Sequence, residues 1–351
     1  MLRNHIAKAS YKQPSETTYR YQSLIFQDAG YGRQIRILDG VLQDTFASPY
    51  TSTPFNNNAG QGGYTKINRA TEGHYISTYY GASTLANYPF RYGTFSYAGG
   101  FSTGSLFSSN TGRGSKLFWS PDGQCIVSYG DIFSTVSKFN NSTGVPTLLS
   151  GTQPAYAYAG FTSNSNTVAL SINATTKNLL VYPFSFASGL GTQYTKPTPL
   201  FTIAGPPLWL SDNSFVIIGN RAYSWSSGFT GTTFDSSSFS FIPFELISDT
   251  LLLGLNSSTY EIMILSFDKT KGFSTPVTLS GSGDTIQQTA RTPIYDPVYK
   301  RIYYTVYNTG TVATTAYYCP ISAGVFGSPV TLGTKTGPWL ISDVFTHKLL
   351  G

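Results

Sequence analysis

Three observations predict an all-β fold, a seven-bladed β-propeller, for this chain of 351 residues. One turn signature recurs seven times. The residue usage, with 26 Tyr, 24 Phe and 35 Gly, favours pleated strands and the turns between them. Long stretches of helical periodicity are missing. The clearest copy of the signature is LFWSPDGQCIVSYGD, Leu117 to Asp131, where two apolar runs flank Ser-Pro-Asp-Gly. The turn positions fall at 72, 122, 164, 212, 249, 296 and 343. Their mean spacing of about 45 residues is the length of four short antiparallel strands with their connections.

Each copy marks the turn between the first two strands of a unit. Leu208-Trp-Leu-Ser-Asp212-Asn precedes SFVIIGN, Phe244-Glu-Leu-Ile-Ser-Asp249 precedes TLLLGLN, and Pro293-Ile-Tyr-Asp296 precedes PVYKRIYYTVY. Trp339-Leu-Ile-Ser-Asp343 precedes VFTHKLLG, while Phe161-Thr-Ser-Asn164 and the stretch around Glu72 are weaker copies. Third strands follow, as in NLLVYPFSF, YEIMILSFD and TAYYCPI. Pro146, Pro199, Pro276 and Pro329 then mark the outermost strands, because proline cannot donate to a sheet ladder and is tolerated at an edge.

The last unit ends at Gly351 after what reads as two strands. Tyr19 to Phe26 and Gln34 to Leu38 are suited to supply the missing third and fourth, so that N- and C-terminal strands share one blade and no open edge remains. The expected organisation is a basic N-terminal arm over 1–18 and a single propeller domain over 19–351. Within the domain, 19–40 completes the last blade, 41–66 is a long loop poor in apolar residues, and 67–351 holds the remaining blades. A six-bladed ring with an irregular first unit, or a sandwich, is the alternative.

Only 11% of the residues are charged, so the surface must be built from Ser, Thr, Asn, Gly and Tyr. The formal charge is +6, and residues 1–36 hold six basic residues against two acids, which leaves the body nearly neutral. Arg3, Lys8, Lys12 and Arg20 make the arm a candidate docking element for an acidic partner. No interleaving of basic and aromatic residues points to nucleic acid. No segment reaches the 18 or so apolar residues needed to span a bilayer, and MLRNHIAKASYKQPSETTY lacks the apolar core of a secretion signal. Membrane insertion is therefore not expected, and synthesis in a cytoplasm is. Cys125 and Cys319 are too few for a disulfide framework and are expected to be buried free thiols.

Five aspartates, Asp122, Asp212, Asp249, Asp296 and Asp343, occupy the same place in different repeats. Aspartate in such turns accepts from the amides that follow it, so these are read as structural turn formers. The other acids, among them Asp44, Asp235, Glu245 and Glu261, show no pairing by spacing. His5, His74 and His347 are too scattered for a metal centre or a nucleophile relay. Gly100-Phe-Ser102-Thr-Gly104 matches G-x-S-x-G but lacks the strand and helix of a nucleophile elbow. No catalytic residue, metal site or cofactor is expected. Tyr79-Tyr80, Tyr156-Ala-Tyr158, Trp225 and Tyr303-Tyr304 are candidate aromatic platforms, whereas Trp119, Trp209 and Trp339 in equivalent first strands belong to the inter-blade core.

A propeller with few charges, abundant Ser, Thr, Gly and Tyr, few thiols and no export signal resembles the propeller-bearing tail proteins of tailed bacteriophages. The likeness runs over residues 65–351 through the repeat grammar and carries no site. It implies a non-enzymatic structural protein of a virus particle, a nozzle, tip or adaptor, made in the host cytoplasm and assembled with copies of itself and other virion proteins. The alternative is a propeller that reads host-surface glycan or protein through aromatic loops, and a third class is a propeller glycosidase or lyase.

Overall fold

Strands such as Leu251–Asn256 (LLLGLN) and Ile262–Asp268 (IMILSFD) are apolar on both faces. Alternating side chains point to opposite sides of a sheet, so a run without polar alternation needs cover on both sides. The computed structural model supplies it. Leu252 packs with Phe215, Ile217 and Ala222 of the preceding sheet, while its neighbour Leu253 packs with Ile302, Tyr304 and Cys319 of the following one. Residues 21–28, 31–46, 48–49, 51–54, 65–71, 73–78, 88–111, 114–130, 134–149, 158–171, 179–194, 206–226, 228–235, 240–282, 293–337 and 339–347 are described.

These residues form seven antiparallel sheets of four or five strands, arranged as a seven-bladed propeller. Blade one joins the chain ends, and blades two to seven follow in sequence order. Their innermost strands are Thr65–Ile67, Gly114–Trp119, Tyr158–Phe161, Leu208–Trp209, Phe241–Ser248 and Ile294–Asp296, with Trp339–His347 serving blade one. Each innermost strand touches the next around the ring, including the first and the last. The core is divided accordingly: of seven apolar clusters among the described residues, one lies at each junction between neighbouring blades. Fully burying one such Leu, Ile or Phe contributes roughly 1.5–3 kcal/mol.

The closure of blade one differs from the expected two-plus-two arrangement. The C-terminus contributes one uninterrupted strand, Trp339–His347, and the N-terminal region contributes the rest: Tyr21–Asp28, Tyr31–Leu38, and the outer pieces Val41–Leu42 and Thr51–Pro54. Of the stretch 41–66, expected as a long loop, Val41–Leu42 and Thr51–Pro54 thus form the outer edge of this blade. The described residues between 41 and 54 are mostly polar, as an edge strand with one face to water allows, while Phe46 turns inward to the core. At the junction with blade seven, the rings of Phe26, Phe46 and Trp339 stand 4.6–5.2 Å apart.

Asp343 accordingly lies inside a strand rather than in a turn. The pairing of Trp339–His347 with Tyr21–Asp28 shifts register between Ile25 and Phe26, an irregularity placed at Ser342 and Asp343. Both cysteines are free and buried, and desolvation pushes the Cys125 thiol pKa well above its ordinary value. Among the described residues no helix is long and apolar enough to cross a membrane.

Candidate functional site

The recurring turns stand at one end of the innermost strands, and their polar groups reach sideways into the next blade. Asn68 Nδ2 donates to Gly123 O (3.2 Å), Asp122 N to Ser165 Oγ (3.0 Å), Ser163 N to Asn213 Oδ1 (3.0 Å) and Ser211 N to Asp249 Oδ1 (2.7 Å). Tyr295 N donates to Glu245 Oε2 (2.9 Å), Gln22 Nε2 to Asp296 Oδ1 (2.9 Å) and Ile67 N to Asp343 Oδ2 (3.0 Å). Every junction between neighbouring blades thus carries a hydrogen bond from this layer. The five aspartates divide in role. Asp122 and Asp212 accept from the amides of Gln124 and Ser214 two residues on, and Asp296 accepts from Val298 and Tyr299. The carboxylate of Asp249 serves the neighbouring blade, and that of Asp343 the two blades on either side of its junction.

Inside this ring lies a cavity of about 450 Å³, lined by residues of six innermost strands and the segments beside them. It is the central channel. Most of its wall is apolar: Leu117, Phe118 and Trp119 from blade three, Phe161 from blade four, Trp209 from blade five, Phe244 and Leu246 from blade six. Among the described residues, four charged side chains interrupt that wall: Lys66, Arg69, Glu245 and Asp343.

Asp343 is 1% exposed and fully bonded. Its Oδ1 accepts from Arg69 (2.9 Å) and from Val344 N (3.0 Å), and its Oδ2 from Ile67 N. Lys66 Nζ stands 4.0 Å away and donates to Ser342 O (2.7 Å). Held this way, the two cations still face the channel, with 31% of the Lys66 side chain and 54% of Arg69 exposed. The nearby Asp343 carboxylate raises the Arg69 pKa and keeps the guanidinium charged. Glu245 is half-buried; desolvation raises its pKa, against the opposing pull of Arg69 and the bond from Tyr295 N. The indole N–H groups are spent within the fold, Trp119 on Lys66 O (3.3 Å) and Trp209 on Gly160 O (3.2 Å).

Two carboxylates from distant repeats therefore meet in one channel with two cations, a convergence that sequence spacing does not reveal. A usable signal exists. Lys66 stands where the equivalent strands carry Phe118 and Leu208, and Glu245 interrupts Phe244-Glu-Leu-Ile, so each is a charge within an apolar innermost strand. The four arm residues Arg3, Lys8, Lys12 and Arg20, together with Glu72, lie outside the described residues, as do Tyr79, Tyr80 and Tyr156. Trp225, Tyr303 and Tyr304 are buried and form no exposed platform. Ser102 Oγ accepts from Thr94 N (2.9 Å) beside a short strand, without a following helix. His74 packs on Phe139, and His347 Nε2 is bonded to Ser23 Oγ (2.8 Å). Among the described residues no group of three His, Cys, Asp or Glu could hold a metal ion.

No protein-family model and no curated protein sequence matches the chain. Solved structures do. A Bacteroides fragilis protein described as a 6-phosphogluconolactonase superposes with a TM-score of 0.55 at 15% identity, covering 92% of this chain and 99% of that one. The β-propeller domain of Cps50 (Swd1) from Myceliophteria thermophila gives 0.52 at 9% identity, covering 79% and 88%. At such identities the likeness establishes one thing, that this chain is built as a β-propeller.

Proposed function

We propose that the chain is a non-enzymatic, protein-binding propeller, and more specifically a structural component of a virus particle such as a tail nozzle, tip or adaptor. The observation that carries the reading is the placement of exposed apolar side chains on the outermost strands. Val277 of blade six, Val325 and Val330 of blade seven, and Val41 of blade one project from the rim of three consecutive blades, with Val145 and Leu148 on blade three. A rim that is apolar and poor in charge loses little hydration when a neighbouring subunit covers it. The propeller fold is consistent with such a role, since the ring holds its edges rigidly in place. The basic arm over 1–18 then serves as a tether to an acidic neighbour.

Quantitative mass spectrometry of density-purified particles from the source culture tests this directly. A fixed low copy number relative to the major capsid protein, abolished by deleting residues 1–18 while the ring stays folded, is expected. Absence from particles, or unchanged incorporation of the truncated chain, overturns the virion reading or the tether respectively.

A further inference from the structure

The central channel combines features that the structural role does not use. Asp343 has both carboxylate oxygens bonded inside the protein, so its charge is committed to holding Arg69 and the main chain of Ile67 and Val344. Arg69 has five N–H donors; among the described residues one nitrogen is occupied, by Asp343 and by Val344 O at 3.3 Å, and the side chain, 54% exposed, lines the cavity. Lys66 adds a second cation, an ammonium beside the same carboxylate, with one of its donors held by Ser342 O. The rest of the wall includes the half-buried Glu245 and the partly exposed rings of Phe118, Trp119 and Phe161.

We propose that this channel is a binding site for a small organic monoanion with a flat apolar body, its carboxylate taken by Arg69 and Lys66 and its body laid against the partly exposed rings of Phe118, Trp119 and Phe161. The volume of about 450 Å³ lies within the range of small-molecule sites, roughly 300–1,000 Å³. A planar guanidinium held on one edge by a buried carboxylate presents its other donors in a fixed geometry, which suits a carboxylate ligand. Once the charge of Asp343 is set against one cation, a single positive charge faces the cavity, and Glu245 opposes it. Because the Trp119 indole N–H is already bonded to Lys66 O, that indole offers surface without a donor. That favours an apolar body over a polyhydroxylated one.

The test is calorimetric titration of the full chain with 2-naphthoate, its neutral isostere 2-naphthamide and the cation 2-naphthylmethylamine. Saturable one-to-one binding of the naphthoate, at least about tenfold tighter than the amide, is expected from a charge-assisted pair. Arg69→Gln is expected to weaken naphthoate binding about tenfold, and Glu245→Gln to tighten it several-fold, because the glutamine keeps an acceptor for Tyr295 N and removes the opposing charge. Lys66→Met, which leaves the Arg69–Asp343 pair in place, is expected to weaken binding even if Arg69→Gln compromises folding. No saturable naphthoate binding at millimolar concentration, equal or tighter binding of the amide or amine, or weakened binding in Glu245→Gln would each overturn the proposal.

Discussion

Gln22 and Asp296 meet at the seam where the ring closes, Nε2 donating to Oδ1 over 2.9 Å although 274 residues separate them. Gln22 also donates to Thr346 Oγ1 (3.0 Å), so one buried amide joins the N-terminal strand, the C-terminal strand and blade seven. The other Asp296 oxygen stands 3.4 Å from Arg301 Nε, an ion pair by proximity rather than an aligned hydrogen bond. The Arg301 guanidinium is enclosed by the rings of Tyr299, Tyr303 and Tyr318 at 4.6–4.9 Å.

Removing Asp296 takes one of two acceptors from Gln22 and leaves the buried Arg301 charge without its carboxylate. Asp296→Ala is expected to lower unfolding free energy by roughly 3–5 kcal/mol, since it strands the Arg301 charge. Gln22→Ala removes a neutral donor and is expected to cost about 1–3 kcal/mol. Urea unfolding of the two variants checks both the size and the order of the losses. A smaller loss for Asp296→Ala than for Gln22→Ala would contradict the assigned roles.

His347 makes the closing strand sensitive to acid. Gln34 Nε2 donates to Ser23 Oγ (2.8 Å), and the same hydroxyl is hydrogen-bonded to His347 Nε2 (2.8 Å). Burial lowers the histidine pKa from 6.5 to about 4. The unfolded chain therefore takes up this proton first as pH falls below 6.5, and stability declines from there until the folded-state value near 4 is passed. The loss is on the order of 3 kcal/mol. Urea midpoints measured from pH 7 to pH 4 should fall in the wild type and stay flatter in His347→Gln.

Gly160 sits where the innermost strand of blade four passes Pro207. A Cβ built there would lie 1.7 Å from Pro207 O, a main-chain atom that cannot turn aside. Gly160→Ala is expected to destabilise by about 3 kcal/mol or more, or to prevent folding, because the two innermost strands must separate. Gly228→Ala, which meets nothing within 4 Å, isolates the cost of the positive backbone angle as a control, expected near 1 kcal/mol. Thermal melts of the pair separate steric from conformational cost.

Asp249 bridges blades five and six at the surface, accepting from Ser211 N and Ser211 Oγ. Its exposed setting limits its worth: Asp249→Ala is expected to cost about 1 kcal/mol and Asp249→Asn less, because the amide oxygen still accepts from the main chain. A loss as large as that of Asp296→Ala would show that exposed and buried links of the turn layer contribute alike, against this reading.

By itself the sequence determined the all-β class, the seven repeats and their strand order. These follow from local chemistry: turn residues such as Ser120-Pro-Asp-Gly123 act within a few positions, and apolar runs such as LLLGLN report cover on both faces without naming what covers them. Only the tertiary structure decided how the ring closes, because one continuous strand WLISDVFTH and two strands broken at Asp343 differ in pairing with Tyr21–Asp28, a contact some three hundred residues away. It also decided that Lys66, Arg69, Glu245 and Asp343 share one channel. Spacing along a chain carries no information about which repeat faces which across a ring, so groups from blades one, two and six become neighbours only when the innermost strands meet around the axis.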